Sequence, residues 1–422
     1  MHRLVPRILR SIGPAIIVAA VVLGPGSILT SSQVGAHFGY LGVPVLAGAA
    51  ILMIGMVALS ARIGAVYAGS PCDELASRLG RPVARLVGIT VFATIALFQS
   101  GNNIAIIAGL EPLLGDPAGT ETTALGPWTK GSLLVAVNLC ATLSLFHTRD
   151  LYGRIEQLMK ILVAVMVAAF LINFVVVFTK PHDDHAFSAW HGSDVDIIPV
   201  LGLIGTTLSL AGAFFQAYLV KEKGWGVTQT RDSLIDSVLS ITVLAFITAL
   251  ILTTAARVFY GQPAPVRLVS AADVARQLEP SFGAAAKIIF CLGILAAASS
   301  SFLVNAMIGG TVLADSLGKG SRLNDRWPLW CTTAALWGGG SIAIRSLWSE
   351  GSTVALITLA QALTVLGTPA LGLALIYLGV RSRKELADDR KVPVWMLGLA
   401  AIGVLLACGL VSVTAARLLD RL

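Results

Sequence analysis

Long apolar stretches separated by short polar connections run along almost the whole chain. A membrane-spanning helix needs about 20 mostly apolar residues, and eleven stretches are long enough. We number them spans 1 to 11 and predict an all-α polytopic membrane protein with 11 transmembrane helices. Their approximate limits are residues 12–40, 42–68, 83–110, 131–147, 155–179, 197–220, 234–259, 283–314, 328–345, 353–380 and 393–416.

Span 1 contains a break in the middle of its apolar residues. Gly24, Pro25, Gly26 and Ser27 follow one another there, and they cannot continue a helix, because proline lacks the N–H donor and glycine weakens the helix. Backbone groups exposed to lipid are strongly unfavourable, so a break persists only where protein buries it or where it lines a cavity. Many secondary transporters build their substrate site at such a break, and we predict the same here.

Span 6 carries a second candidate break, within residues 206–213 (TTLSLAGA). It lies five spans after the first, which is the spacing expected when spans 1–5 and 6–10 form two inverted repeats with one broken helix each. Small residues also mark close helix packing, and the second signal alone leaves that alternative open. We expect a LeuT-type fold in one transmembrane domain, residues 1–422, with repeats at about 12–179 and 197–380 and an extra helix at about 393–416.

Composition and charge agree with this class. Of the 422 residues, 56% are hydrophobic and only 13% are charged, whereas a soluble domain has about 25% charged residues. The net charge of +7 needs no nucleic-acid partner, because most Lys and Arg residues lie in the connections on one side of the lipid bilayer. The positive-inside rule then predicts an inner (plasma) membrane protein with a cytoplasmic N-terminus and an outside C-terminus.

Several catalytic and nucleotide-binding motifs are missing from the sequence. It has no GxxxxGK[ST] loop, no HExxH motif and no Ser/His/Asp arrangement, so we expect neither ATP-driven transport nor enzymatic activity, and no cofactor. Energy should come from ion gradients.

Short motifs along the chain resemble the NRAMP family (natural resistance-associated macrophage proteins), which are proton-coupled divalent-metal importers. The resemblance covers spans 1 to 10 and implies the LeuT-type fold of that family. It is carried by residues 13–16, 23–27 and 35–40 in span 1, 204–207 in span 6, 231–237 in span 7, 288–297 with 299–300 in span 8, and Ala360, Gln361 and Pro369 in span 10.

The metal-binding positions implied by this resemblance are changed in this chain. Typical members have Asp-Pro-Gly-Asn at the first break, where the Asp carboxylate and the Asn amide oxygen hold the ion. Gly24 and Ser27 occupy those two positions here. The Met-Pro-His-Asn of the sixth helix, whose sulfur favours softer metals, aligns with residues 209–212 (SLAG), which begin with Ser209. The resemblance retains only the tenth-helix amide, as Gln361.

The positions that the family associates with proton movement are changed as well. An Asp and a Glu in the third helix align with Ser100 and Asn103, and a histidine late in the sixth helix aligns with Gln216. We expect these residues, together with Gln99, to line the transport pathway. Interhelical hydrogen bonding is the alternative for the polar run at residues 99–103.

A neutral substrate site follows from these replacements. We expect it to be lined by Gly24, Ser27, Thr206, Ser209 and Gln361, with Ser27 and Gln361 as the candidate metal ligands. Hydroxyls, an amide and backbone carbonyls suit a hydrated Mg²⁺ better than a dehydrated Mn²⁺ or Fe²⁺. The sequence therefore favours a divalent-cation transporter with a preference for Mg²⁺ or a broad range, and with weak or absent proton coupling. A transporter of a neutral or organic solute, or a transport-inactive sensor, is the alternative.

Other charged and histidine residues lie outside the two breaks, and we expect mostly structural or surface roles for them. Asp232 and Asp236, four residues apart in span 7, are expected to form surface pairs with neighbouring bases, with a gating salt bridge as the alternative. Glu156 and Lys160 are expected to form a helical ion pair. A proton-coupling role for His37 and metal capture by the loop at residues 182–196 are weighed against a solvated role.

Overall fold

The computed structural model describes residues 13–114, 125–179, 197–261, 268, 274, 284–348 and 352–419, apart from the side chains of 112, 114, 284, 286, 352–368 and 414–419. Fourteen α-helices and three short 3₁₀ turns, but no strand, occur within these ranges. The helices are α1 Pro14–Val22, α2 Pro25–Phe38, α3 Gly42–Val66, α4 Pro71–Leu79, α5 Arg81–Leu114, α6 Pro127–His147, α7 Leu151–Thr179, α8 Ile198–Thr207, α9 Leu210–Glu222, α10 Thr230–Phe259, α11 Ala284–Ser316, α12 Arg326–Ser346, α13 Ser352–Glu385 and α14 Val394–Leu419.

Every predicted span is helical, within a few residues of its expected limits. Span 1 consists of α1 and α2, and span 6 consists of α8 and α9, so both predicted breaks are present. Eight helical segments of the described residues are long and apolar enough to cross a membrane. The chain is thus an all-α, multi-pass membrane protein.

Helix α4, which lies between spans 2 and 3, is the main element that the sequence reading missed. Ser70 caps it, since the Ser70 side chain accepts a hydrogen bond from the Asp73 amide. Pro71 occupies the first turn, and Asp73 and Glu74 lie near the positive end of the helix dipole. These local signals explain a short amphipathic helix at the membrane surface.

The spans pack into two groups. Spans 3, 4, 5, 8 and 9 form one group around the extensive contact of span 3 with span 8, and spans 1, 2, 6 and 7 form the other. Close approach inside the second group depends on glycine. A Cβ on Gly35 would lie 2.3 Å from the Leu252 carbonyl oxygen, and one on Gly64 would lie 2.4 Å from that of Ala217. Small residues of this kind let membrane helices pack backbone to backbone.

Exposed aromatic residues mark both ends of spans 4 and 9. Trp128 and Trp348 contact each other edge to face at one end, with ring centroids 5.3 Å apart. Phe146 and Trp330 do so at the other end, 5.1 Å apart. Tryptophan is enriched at both membrane interfaces, so these pairs mark where the two membrane surfaces meet the protein.

Candidate functional site

The break in span 1 is a short extended segment between two helices. Helix α1 ends at Val22, and Gly24 adopts an extended conformation with φ −82° and ψ 177°. Pro25 begins α2, and the amides of Ser27 and Ile28 donate to the Gly24 carbonyl oxygen at 3.0 and 3.2 Å. The positive end of α2 therefore faces the centre of the molecule.

The break in span 6 is built in the same way. Helix α8 ends at Thr207, and Leu208 leaves the helix with ψ 64°. Ser209 is extended and caps α9, because its hydroxyl accepts a hydrogen bond from the Gly212 amide at 3.3 Å. The candidate break predicted within residues 206–213 is thus a real interruption of the helix.

The two breaks lie side by side. The hydroxyls of Thr30 and Thr206 are 3.2 Å apart, which joins α2 to α8. On the other side of the breaks, a Cβ on Gly212 would lie 3.3 Å from Val18 and 3.6 Å from Val21, so α9 packs directly on α1. The helix ends that border the two breaks therefore lie close together.

Two buried hydroxyls at the breaks have no hydrogen-bond partner among the described residues. Ser27 is 2% exposed and Thr207 is 1% exposed, and neither side-chain oxygen is bonded. Leaving such a group unpaired costs about 1–3 kcal/mol. Both hydroxyls are available to bind a substrate.

Span 8 supplies residues at the first break that the sequence reading did not include. The Ser300 hydroxyl donates to the Ala20 carbonyl oxygen at 2.8 Å. A Cβ on Gly24 would lie only 2.7 Å from the Ser301 hydroxyl oxygen, and that oxygen accepts a hydrogen bond from the Asn305 amide at 2.9 Å. Ser301 therefore occupies space that a side chain at position 24 would need.

The signal for this contribution was present in the sequence. Three consecutive serines at 299–301, followed by Asn305 four residues after Ser301, form a polar stripe inside an apolar span. Nothing in the sequence shows which helix span 8 faces, so the stripe alone does not predict a contact with the first break.

The predicted substrate residues are brought together only in part. Gly24 and Ser27 lie at the first break, and Thr206 and Ser209 lie at the second. Gln361 is in α13, but its side chain lies outside the described residues. Its role, and that of Ser27 as a metal ligand, stay predictions. No group of three or more His, Cys, Asp or Glu residues that could hold a metal occurs in the described part of the chain.

The polar run of span 3 forms a network between helices in this conformation. Gln99 donates to the Phe302 carbonyl oxygen at 2.7 Å and accepts from the Asn102 amide at 2.6 Å. Asn138 of span 4 donates to Asn103 at 2.6 Å and so extends the network to a second helix. Gln99, Asn102, Asn103 and Asn138 are all at most 2% exposed. This is the arrangement of the interhelical alternative, and a pathway role stays a prediction.

Two other predicted pathway residues are also buried. The Ser100 hydroxyl donates within its own helix, to the Leu97 carbonyl oxygen at 2.7 Å. Gln216 is fully buried on α9, and neither its side-chain nitrogen nor its oxygen has a hydrogen-bond partner among the described residues. Gln216 is thus the polar side chain of span 6 most in need of a further partner.

Asp236 corrects the expectation of a surface pair. Its carboxylate accepts hydrogen bonds from the amides of Gly13 and Ala15, both at 2.8 Å, and from the Ser240 hydroxyl at 3.2 Å. It is fully buried, whereas Asp232 is exposed. A carboxylate at a helix N-terminus satisfies free amides and interacts favourably with the helix dipole. Asp236 therefore caps α1 from span 7.

Asp315 plays a similar part at the end of span 8. Its carboxylate accepts from the Ser70 hydroxyl at 2.6 Å, the Cys72 amide at 3.2 Å and the Tyr218 hydroxyl at 2.7 Å. It thereby joins span 8 to α4 and to α9. Burial, with Asp315 nearby, raises the pKa of the Cys72 thiol, so this cysteine is poorly reactive while covered.

Ion pairs add to the same end of the molecule. Glu156 of span 5 pairs with Lys160 at 2.6 Å, as expected, and also with Lys223 at 2.7 Å. Lys221 donates to the Tyr67 carbonyl oxygen at 2.6 Å. The end of α9 is thus tied to spans 2, 5 and 8.

The half-helices differ in what they contact. α1 packs on spans 5 and 8, and α9 packs on spans 8 and 10, all of which lie outside the group of spans 1, 2, 6 and 7. By contrast, α2 packs mainly on span 7 and α8, while α8 packs on α2 and span 2. On the side of the membrane where α1 begins, α1 and α9 therefore connect the two groups of spans and close the space between them.

The two histidine predictions lie away from this centre. His37 is exposed near the end of α2, and its Nδ1 is 2.8 Å from the Gln33 carbonyl oxygen of its own helix. The loop at residues 182–196, with its His and Asp residues, lies outside the described residues. Both roles stay predictions.

Sequence comparison identifies relatives along most of the chain. A family model described as natural resistance-associated macrophage protein-like matches residues 15–416. The divalent metal cation transporter MntH of Granulibacter bethesdensis is 26% identical over 408 residues, which cover 93% of this chain and 86% of that protein. The MntH protein of Verminephrobacter eiseniae is 23% identical over 418 residues, covering 97% and 88%.

Structural comparison gives the fold. The crystal structure of a manganese transporter from Eremococcus coleocola matches with a TM-score of 0.78 at 18% identity, over 98% of this chain and 88% of that one. The LeuT-type architecture with two broken helices, which the sequence predicted, is confirmed by this match and by the helix order.

Proposed function

The chain belongs to the Nramp family, and from this premise we propose that it moves divalent metal cations across a membrane by alternating access. The relatives named as divalent metal cation transporters support this substrate class. Two broken helices that meet in the middle of the bundle support the mechanism, because such breaks form the substrate site of many secondary transporters.

The neutral lining of the breaks is the observation that carries the choice of ion. Gly24, Ser27, Thr206, Ser209 and Ser301 bring hydroxyls and backbone carbonyls to this place, and none brings a charge or a sulfur atom. Stripping water from Mn²⁺ or Fe²⁺ requires carboxylate, imidazole or thiolate ligands, whereas Mg²⁺ usually keeps several waters. We propose that the site accepts a partly hydrated ion, with Mg²⁺ or a broad range preferred over selective Mn²⁺ or Fe²⁺.

Weak or absent proton coupling follows from the same replacements. Ser100, Asn103 and Gln216 do not titrate, and the family resemblance aligns them with the positions associated with proton movement. The membrane potential, at about 2.3 kcal/mol per charge per 100 mV, is sufficient to drive divalent-cation entry. An inner-membrane location with a cytoplasmic N-terminus belongs to the same proposal.

Alternating access requires that the closed side open. Asp236, Asp315 and Glu156 hold α1 and α9 there through hydrogen bonds and ion pairs. With the N-terminus in the cytoplasm, these contacts would form the inner gate. Opening would separate α1 from spans 5 and 8.

A flux assay in proteoliposomes tests the proposal. We expect Mg²⁺ influx above that of protein-free liposomes, Mn²⁺ influx no faster than Mg²⁺, and no acidification of the lumen with either ion. Ser27→Ala should lower influx about threefold to tenfold without loss of folded protein, because the Ser27 hydroxyl has no hydrogen-bond partner among the described residues. Adding Gln361→Ala should lower it further.

Ser31→Ala is the matched control for Ser27→Ala. The Ser31 hydroxyl donates to the Ser27 carbonyl oxygen within α2, so its loss should change influx less than about twofold. Equal effects of the two variants would contradict a ligand role for Ser27. If no divalent ion moves and an uncharged organic solute does, the neutral lining would instead serve the solute, and the metal proposal is wrong.

A further inference from the structure

A cavity of about 200 Å³ lies where the beginnings of spans 7 and 11 meet span 2. Its lining is amphipathic. Leu234, Pro393 and Met396 supply apolar surface, while Arg62, Arg231 and Ser233 supply polar atoms. Nothing in the proposed transport mechanism uses this cavity.

Positive charge surrounds the polar side of the cavity from three sources. Arg62 comes from span 2 and Arg231 from the first turn of α10, and both line the cavity. Thr230, the first residue of α10, lines it too, so the positive end of a 30-residue helix faces it. Backbone amides at a helix N-terminus bind phosphate groups well.

Two buried polar atoms at this place have no partner among the described residues. Ser233 is 2% exposed and its hydroxyl is unpaired, and the Nε of Arg62 is likewise unpaired. The Nη2 of Arg62 donates to the carbonyl oxygens of Asp389 and Lys391, which fixes the guanidinium in place. The cavity therefore has donors in position before any ligand arrives.

The location is at the membrane surface. Span 2 ends here and spans 7 and 11 begin here, on the same side as the start of α1. Trp395, next to the cavity residue Met396, is 46% exposed, as expected for a side chain at the lipid interface. The apolar part of the cavity would face acyl chains and its arginines would face headgroups.

We propose that this cavity binds the phosphate headgroup of an anionic phospholipid from the leaflet on the N-terminal side. Arg62 and Arg231 would pair with the phosphate, and first-turn amides of α10 after Thr230 would donate to it, since the Thr230 amide already donates to the Val227 carbonyl oxygen. The carboxylates nearby are Asp232, which is exposed one residue after Arg231, and Asp389, which interacts electrostatically with Arg62. Neither residue is among those that line the cavity.

Lipid titration of the full-length protein tests this site. Delipidated protein in an uncharged detergent is titrated with dioleoyl phosphatidylglycerol, dioleoyl phosphatidylcholine or inorganic phosphate, and thermal unfolding is followed by tryptophan fluorescence. We expect phosphatidylglycerol to raise Tm at a concentration about tenfold lower than phosphatidylcholine does, and phosphate to have no effect at millimolar concentration.

Arg231→Gln is the primary variant because Arg231 is exposed. It should weaken the apparent affinity for phosphatidylglycerol about fivefold, the contribution of one basic residue at an anionic membrane surface. Arg62→Gln should weaken it at least as much, but it also removes the bonds to the Asp389 and Lys391 carbonyl oxygens. Arg85→Gln is the matched control, since Arg85 is exposed near the start of span 3 on the same side and does not line the cavity.

Three results would overturn the proposal. Equal stabilisation by phosphatidylglycerol and phosphatidylcholine would remove the anion preference. Equal weakening by Arg231→Gln and Arg85→Gln would show that the lipid does not bind in this cavity. Stabilisation by inorganic phosphate that matches phosphatidylglycerol would mean that the ligand is a free anion. The proposal stands independently of the transported substrate.

Discussion

The half-helices of spans 1 and 6 contact charged side chains of neighbouring spans at one end, but not at their breaks. At the breaks, Gly24, Ser27 and Ser209 leave the centre without a carboxylate. One helix length away, Asp236, Asp315 and Glu156 are all buried, with at most 6% exposure, and hold the ends of α1 and α9. Buried carboxylates therefore hold the start of α1 and the end of α9 against neighbouring spans; we call this region the fastened end. Hydroxyls lie at the breaks, where the half-helices meet.

The difference shows what a buried carboxylate needs in this fold. Asp236 receives two backbone amides and Asp315 receives three donors, so each charge is compensated by protein atoms. A carboxylate at position 24 would have Ser301 against its Cβ. Buried carboxylates thus lie where α1 begins and α9 ends, whereas a carboxylate at position 24 would collide with Ser301.

The largest expected effect comes from breaking the fastened end. Asp236→Asn should destabilise the protein by about 2–4 kcal/mol, because the neutral Asn oxygen replaces a charged acceptor for one of the Gly13 and Ala15 amides, and the other amide would face an NH₂ donor. Denaturant unfolding in detergent measures this. Asp232→Asn, one turn earlier on the same helix and exposed, should change stability by less than about 0.5 kcal/mol. Equal losses of stability in the two variants would show that the buried position of Asp236 contributes no more than the exposed position of Asp232.

A charge placed at the centre should have the next largest effect. Gly24→Asp should lower Mg²⁺ influx at least about tenfold, since its Cβ would lie 2.7 Å from the Ser301 oxygen. Gly24→Asp with Ser301→Gly makes room for the carboxylate and should shift the ratio of Mn²⁺ to Mg²⁺ influx at least about tenfold toward Mn²⁺. If Gly24→Asp alone shifts the ratio of Mn²⁺ to Mg²⁺ influx as far as the double variant does, Ser301 does not control the space at position 24.

Loosening one hydrogen bond at the fastened end should have the smallest effect. In a protein whose only cysteine is Cys72, Tyr218→Phe should speed maleimide labelling about fivefold to tenfold, because the loss of the bond to Asp315 favours opening around α4. Tyr377→Phe is the control, since among the described residues the Tyr377 hydroxyl accepts a hydrogen bond from Arg381 of its own helix and none from another span. An unchanged labelling rate in Tyr218→Phe would mean that the hydrogen bond from Tyr218 of α9 to Asp315 does not keep α4 in place.

Local features made the fold predictable from sequence. Apolar length gave the spans, and the neighbouring residues Gly24, Pro25 and Gly26 determine the first break wherever the helix lies. Helix α4 was missed because nine residues with an amphipathic pattern give no spanning signal. The site was only half predictable. Asp236 reaches residues more than 220 positions away, and Ser301 matters only because span 8 crosses the first break.

The cap on α1 also has a consequence for the order in which the protein is made. Chains are synthesised from the N-terminus, so α1 leaves the ribosome long before Asp236 does. Until span 7 is inserted, the amides of Gly13 and Ala15 lack the carboxylate that later receives them. The start of the earliest described helix is therefore completed only when the seventh span arrives.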